Sequence, residues 1–304
     1  MTDEIRGIFN ILATPFTPEL EVDYDSLKNL VAFQMDKGAH GLTILGVLGE
    51  AAKLTVDERQ AVMDTVVETV NGAIPIVVGT SHPETETCIQ LSTAAFAAGA
   101  AGVMIAPPRM DDKSDAAILA LYSTIAEKIT QPIVVQDFPP INDVIMSPDF
   151  LARLADSIPN ARHLKLEDPP LMQKISAIRE RTDKYEIFGG LGGMFLLEEL
   201  KRGASGTMTG FAFTEILIAV FDAFHAGNLA EAEAIFDKYV SLIRYENQPQ
   251  INLTIRKEFL KRRGAMAEAV LRAPYNPIDI GTQEEITWLL RRVGIEDPTQ
   301  KIQF

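Results

Sequence analysis

Lys165 lies in Arg162-His163-Leu164-Lys165-Leu166-Glu167-Asp168, a short run that reads as a buried strand. It is the one lysine of 13 in such a segment; the others fall in stretches that read as helix or loop, where a solvated ammonium costs little. An ammonium facing a core is expensive unless it is paired or gives up its proton. The neutral amine is a good nucleophile for a carbonyl, the usual route to Schiff-base chemistry. The alternative is an ammonium ion-paired to Glu167 or Asp168 at a strand end.

The elements that must position this lysine follow a regular order. Short β-rich apolar runs are expected as strands at 8–16, 41–46, 75–80, 102–107, 132–138, 163–167, 186–189 and 206–210. Stretches of helical period, such as 25–37, 56–70 and 148–155, lie between them. Thr55 with Glu58 has the form of a capping box, and Ser147-Pro148 that of a cap followed by proline at the first helical position. Strands that are apolar throughout suit a parallel sheet covered by helices. Eight strand–helix units in sequence predict an α/β fold, a (β/α)8 TIM barrel over residues 1–226. Residues 227–304 show only helical periodicity and are expected to form a C-terminal helical extension packed on the barrel, with Trp288 in the packing.

Composition narrows the function classes. A net charge of −14 argues against a nucleic-acid surface, because phosphate contacts need clustered lysine and arginine. No polybasic patch offers itself to anionic lipid. The single cysteine, Cys88, excludes an internal disulfide and suits a reducing cytosol. The opening residues have neither the basic region nor the apolar run of a signal peptide, and no apolar stretch of about 18 residues marks a membrane span. A soluble, cytoplasmic protein is expected.

Active sites in this fold gather at the C-terminal ends of the strands. Alternation puts His163, Lys165 and Glu167 on one face, with Leu164 and Leu166 toward the helices. On the preceding strand Val134, Gln136 and Phe138 share a face, and Asp137 lies on the other. His163 sits deeper than Lys165 and reads as a hydrogen-bonded core residue.

The order and spacing of the strand-end motifs bear a resemblance. These are Thr14-Pro15-Phe16, Gly46-Val47-Leu48-Gly49-Glu50, Gly79-Thr80, Pro139 after the fifth strand, Lys165 in the sixth and Gly206 at the start of the eighth. Over almost its whole length the chain resembles the pyruvate-dependent class I lyases related to dihydrodipicolinate synthase and N-acetylneuraminate lyase. The resemblance implies that Lys165 forms a Schiff base with pyruvate or a longer 2-oxo acid. It also implies that the backbone N–H groups of Val47 and Leu48 hold the carboxylate, that Gly190 and Met208 line the pocket, and that the chain forms a homo-oligomer, a dimer or tetramer. The departures are specific. The family turn usually reads Gly-Thr-Thr-Gly-Glu, and here Val47 and Leu48 replace the threonines. The family's Tyr-Asn-x-Pro, whose tyrosine moves protons, is Gln136-Asp137-Phe138-Pro139. The synthase arginine after that proline is Ile141 or a neighbour, and the interlocking tyrosine after the fourth strand is replaced by Pro108 or Arg109.

Gln136 can hydrogen-bond but cannot serve as an acid or base near neutral pH. Glu167 is therefore the first candidate for proton transfer, its alternative role being an ion-pair partner for Lys165. Arg109 is either a bidentate ligand for a second carboxylate or a surface residue. The glycines of 189–193 suit either a phosphate or close backbone approach to a bound imine. The four histidines are scattered over different elements, so no metal and no cofactor is expected. The leading expectation is a Schiff-base lyase acting on pyruvate or a longer 2-oxo acid by aldol cleavage, condensation or dehydration, all of which pass through one enamine. Its rivals are a 2-oxo-3-deoxy sugar-acid dehydratase using the same enamine, and a non-enzymatic small-molecule binder.

Overall fold

A computed structural model describes residues 4–304. Eight parallel strands close into a barrel in chain order: β1 (Gly7–Ile11), β2 (Gly41–Ile44), β3 (Ile76–Gly79), β4 (Gly102–Ile105), β5 (Ile133–Asp137), β6 (His163–Leu166), β7 (Glu186–Gly189) and β8 (Gly206–Thr209). The barrel helices are α1 (Tyr24–Asp36), α2 (Val56–Val70), α3 (Thr85–Ala98), α4 (Asp115–Ala126), a single turn α5 (Pro139–Asn142), α6 (Pro148–Ser157), α7 (Leu171–Arg179), α8 (Leu196–Lys201) and α9 (Thr214–His225). Three more follow: α10 (Leu229–Glu246), α11 (Asn252–Arg262) and α12 (Ile280–Arg292). None of the described helices is long and apolar enough to cross a membrane.

Most strands are shorter than their apolar runs, β7 alone matching its expected bounds. β1 stops at Ile11, and the rest of its run leads to an isolated antiparallel bridge between Phe16 and Val22. The turn at α5 was not legible, because Pro139-Pro140 reads as a plain strand exit. Local signals held where they rest on side-chain chemistry. Thr55 and Glu58 form both halves of a capping box at α2, and Ser147 caps α6 with Pro148 in its first turn.

Side-chain alternation splits the core in two. Leu164 and Leu166 join the large cluster between barrel and helices, whereas Phe9, Val77, Met104, Val134, Phe188 and Met208 fill the interior. Phe9 and Phe188 meet edge to face there, with ring centroids 5.9 Å apart. This packed plug is the floor on which the site stands. Trp288, expected in the packing, is instead 60% exposed with Arg292 over its ring.

The expectation that every lysine but Lys165 is solvated is corrected. Lys174 on α7 is buried between Asp137 (2.5 Å) and Asp168 (2.6 Å) on the outer side of β5 and β6. Lys257 on α11 is fully buried and donates to Glu50 Oε1, the Thr14 carbonyl and the Val270 carbonyl, at 2.6, 2.7 and 2.7 Å. Each ammonium finds several acceptors, which is what makes burial tolerable, although at Lys257 burial outweighs the Glu50 carboxylate and lowers the pKa to about 8.

Candidate active site

Register places Lys165 beside Gln136 on β5 and beside Phe188 of the interior plug on β7. Lys165 is 4% exposed and Glu167 6%. Their side chains meet, Lys165 Nζ lying 2.8 Å from Glu167 Oε2. Gln136 Nε2 donates to the same oxygen at 2.9 Å. The carboxylate is thereby fixed against the amine by a neutral donor that cannot take its proton. Gly190 makes this possible: a Cβ there would stand 2.5 Å from Glu167 Cγ. Part of the glycine run after β7 thus serves close approach of side chains, and α8 beyond it is too short to present a phosphate-binding terminus.

These three groups line a cavity of about 140 Å³ with Val47, Leu48 and Gly190. That is small beside ordinary ligand pockets of about 300–1,000 Å³ and equals about five water volumes, so it fits a compact acid. The cavity shares Val47, Met104 and Gln136 with an outer vestibule of about 560 Å³. Val47 opens a single 3₁₀ turn, Val47–Gly49. Among the described residues, neither the Val47 nor the Leu48 N–H finds an acceptor, so both are free to hold a carboxylate. The turn is braced from both sides. Thr14 Oγ1 donates to the Gly49 carbonyl at 2.7 Å, and Glu50, at φ +53°, sends its buried carboxylate to Lys257.

Two candidates fall outside the cavity. Arg109 is exposed, donates to the Ile141 carbonyl at 3.3 Å, and lines a separate surface recess with Lys113 and Asp143. The loop after β4 turns away from the barrel axis, which a list of strand ends cannot foresee. Met208 faces the interior as parity requires, but one layer too deep: it pairs with Phe9 in the plug and does not line the cavity. Asp137 points outward to Lys174, as alternation predicts. Burial lifts its carboxyl to about 6, with Lys174 opposing the rise. His163 lies below Lys165 with its Nδ1 unpartnered, not hydrogen-bonded as expected, and burial lowers its pKa.

One wall was missed altogether. Asn247, Asn252 and Arg256, all from the C-terminal helices, line the Lys165 cavity. A signal exists in α11: Arg256, Phe259, Leu260 and Arg263 share one helical stripe, so two arginines lie among core positions. Arg256 Nε donates to buried Glu246 at 2.7 Å, and Arg263 reaches Glu215 at 3.1 Å.

A further carboxyl stands behind the site. Glu199 on α8 is buried against Gly189, and burial, helped by the charges of Glu198 and Glu167, raises its pKa from 4.5 to about 8. At neutral pH it keeps its proton and adds no further negative charge beside Glu167. A raised folded-state pKa means stability is complete below about 4.5 and is lost as pH rises through about 8. Glu199→Gln is therefore expected to flatten this loss, melting above the wild type at alkaline pH and level with it in acid. Parallel melting curves across that window would refute the assignment of a neutral Glu199.

Known proteins share this sequence pattern and fold. The Dihydrodipicolinate synthetase family matches residues 4–293. The chain is 33% identical over 297 residues to an L-2-keto-3-deoxyarabonate dehydratase of Azospirillum brasilense, covering 96% of each chain. It is 32% identical over 294 residues to a 4-hydroxy-tetrahydrodipicolinate synthase of Sorangium cellulosum, covering 95% of this chain and 96% of that one. Among solved structures, a dihydrodipicolinate synthase from Rhodopseudomonas palustris superposes with a TM-score of 0.90 at 35% identity, covering 96% and 99% of the two chains. With its closed barrel and full-length match, the chain belongs to the dihydrodipicolinate synthetase family and is a lyase of that family.

Proposed function

We propose that the protein dehydrates a 2-oxo-3-deoxy sugar acid through an enamine on Lys165. The observation that carries this reading is the Lys165–Glu167–Gln136 contact, in which a carboxylate touches the amine while a glutamine stands at the position of the family tyrosine. The relative named as an L-2-keto-3-deoxyarabonate dehydratase supports it.

Lys165 Nζ passes a proton to Glu167, attacks the C2 carbonyl and loses its oxygen as water to give an iminium. The substrate carboxylate rests on the Val47 and Leu48 N–H groups. Glu167, having returned its proton to the departing water, takes one from C3, and the electron pair flows into the iminium to form the enamine. The enamine then expels the C4 hydroxyl, which leaves as water with the proton Glu167 has just accepted. Addition of water at C2 frees the amine and an unsaturated 2-oxo acid. One water is lost overall and no carbon–carbon bond breaks. Gln136 is a positioning residue that holds Glu167 through this cycle.

The test is product analysis with 2-oxo-3-deoxypentonic and hexonic acids. A product lighter by one water, with no pyruvate, is expected. Release of pyruvate would replace the proposal with aldol cleavage. The same reading carries a cytoplasmic homo-oligomer, in keeping with the buried, unpaired Cys88 and the family resemblance; sedimentation of the purified protein checks the assembly.

A further inference from the structure

We infer that the C-terminal helices supply a neutral, hydrogen-bonding subsite for the hydroxylated tail of the substrate, built from Arg256 and Asn252. The inference rests on the dehydratase reading and names what that site recognises beyond the 2-oxo acid head. Arg256 is 2% exposed and lines the cavity that holds Lys165. Its Nε is taken by Glu246, yet its Nη1 is buried with no acceptor. A buried donor without a partner is costly, so such groups are kept where a ligand completes them. The guanidinium is also deliberately housed. A Cβ at Gly210, just past β8, would stand 2.4 Å from Nη1. Asn252, in the first turn of α11, lines the same cavity.

Charge decides which ligand fits. Arg256 is matched one to one by Glu246, itself 1% exposed, and Lys165 is matched by Glu167. No cation is left over on this wall, so a second carboxylate would be buried without a counter-charge. Hydroxyls need none. They accept from Arg256 and exchange hydrogen bonds with the Asn252 amide. The subsite thus selects a monocarboxylate with a polyhydroxy tail over a dicarboxylate, and over an apolar chain that would leave its donors unpaired.

Borohydride trapping on Lys165, read by mass spectrometry, tests this without requiring turnover. The acids to compare are pyruvate, 2-oxopentanoate, 2-oxoglutarate and 2-oxo-3-deoxypentonate. The hydroxylated acid is expected to be half-trapped at a concentration lower by about tenfold or more than either five-carbon competitor. Asn252→Ala and Arg256→Lys should erase that preference and leave pyruvate trapping unchanged. Thermal melting identifies an Arg256 variant that fails to fold, and half-buried Asn252 then carries the test. Equal trapping of the dicarboxylate, retained preference in the variants, or a matching fall in pyruvate trapping would each overturn the subsite. Preferential trapping without loss of water would sink the dehydratase assignment and leave the subsite standing.

Discussion

Lys165→Ala is expected to abolish turnover while the barrel stays folded. Without the amine no iminium forms, and the electron pair left at C3 has no sink. The loss is expected to be about 10⁴-fold or more, or about 5.5 kcal/mol of transition-state stabilisation. Circular dichroism and melting check the fold, since the plug beneath the site does not include this side chain. Glu167 keeps its hydrogen bond from Gln136 and faces a cavity large enough for water, which limits the penalty of the vacated charge. A variant retaining a tenth of the activity would remove Lys165 from the mechanism.

The second large effect belongs to Glu167. Glu167→Gln preserves shape and the contact with Gln136 but removes the one base that, among the described residues, touches Lys165 Nζ. A fall in kcat of about 10²–10⁴-fold is expected, the usual contribution of general acid–base catalysis. Trapping of pyruvate on Lys165 should persist, because imine formation can draw protons from water. The informative result is therefore a split: adduct retained, dehydration lost. A variant that turns over at the wild-type rate would reduce Glu167 to an ion-pair partner and move the proton transfer to another group. A variant that loses both would place Glu167 in imine formation alone.

The chain shows where sequence reasoning works on this fold. Lys165 was legible because a charged residue in a short apolar strand violates the pattern around it, and alternation then gave the faces of Leu164, Glu167 and Asp137. Depth was harder. Met208 has the expected parity and the wrong layer, since pattern alone does not say where a strand stops. Arg109 failed because sequence names the loops at the barrel mouth without saying which way each folds. The buried cations were illegible for another reason. Lys174 and Lys257 sit on amphipathic helices, where lysine usually meets solvent, and the buried carboxylates of Asp137 and Glu50 that they reach lie 37 and 207 residues away. Arg256 was hidden likewise, by a partner on the preceding helix and a cavity formed mostly by distant strands.

The bond from Lys257 to Glu50 sets an order of events during synthesis. Glu50 belongs to the turn that offers the Val47 and Leu48 N–H groups, and the buried one of its two ammonium partners is made 207 residues later. At about 5–20 residues per second that interval lasts about 10–40 s. Throughout it the carboxylate has Lys53, three residues on, but not the buried ammonium of Lys257, so the turn cannot close into its final form. A nascent chain can stack its early strand–helix units, but the pocket becomes competent only when one of the last helices docks. Any fragment ending before α11 is thus a barrel without a finished site, and competence is a property of the whole chain.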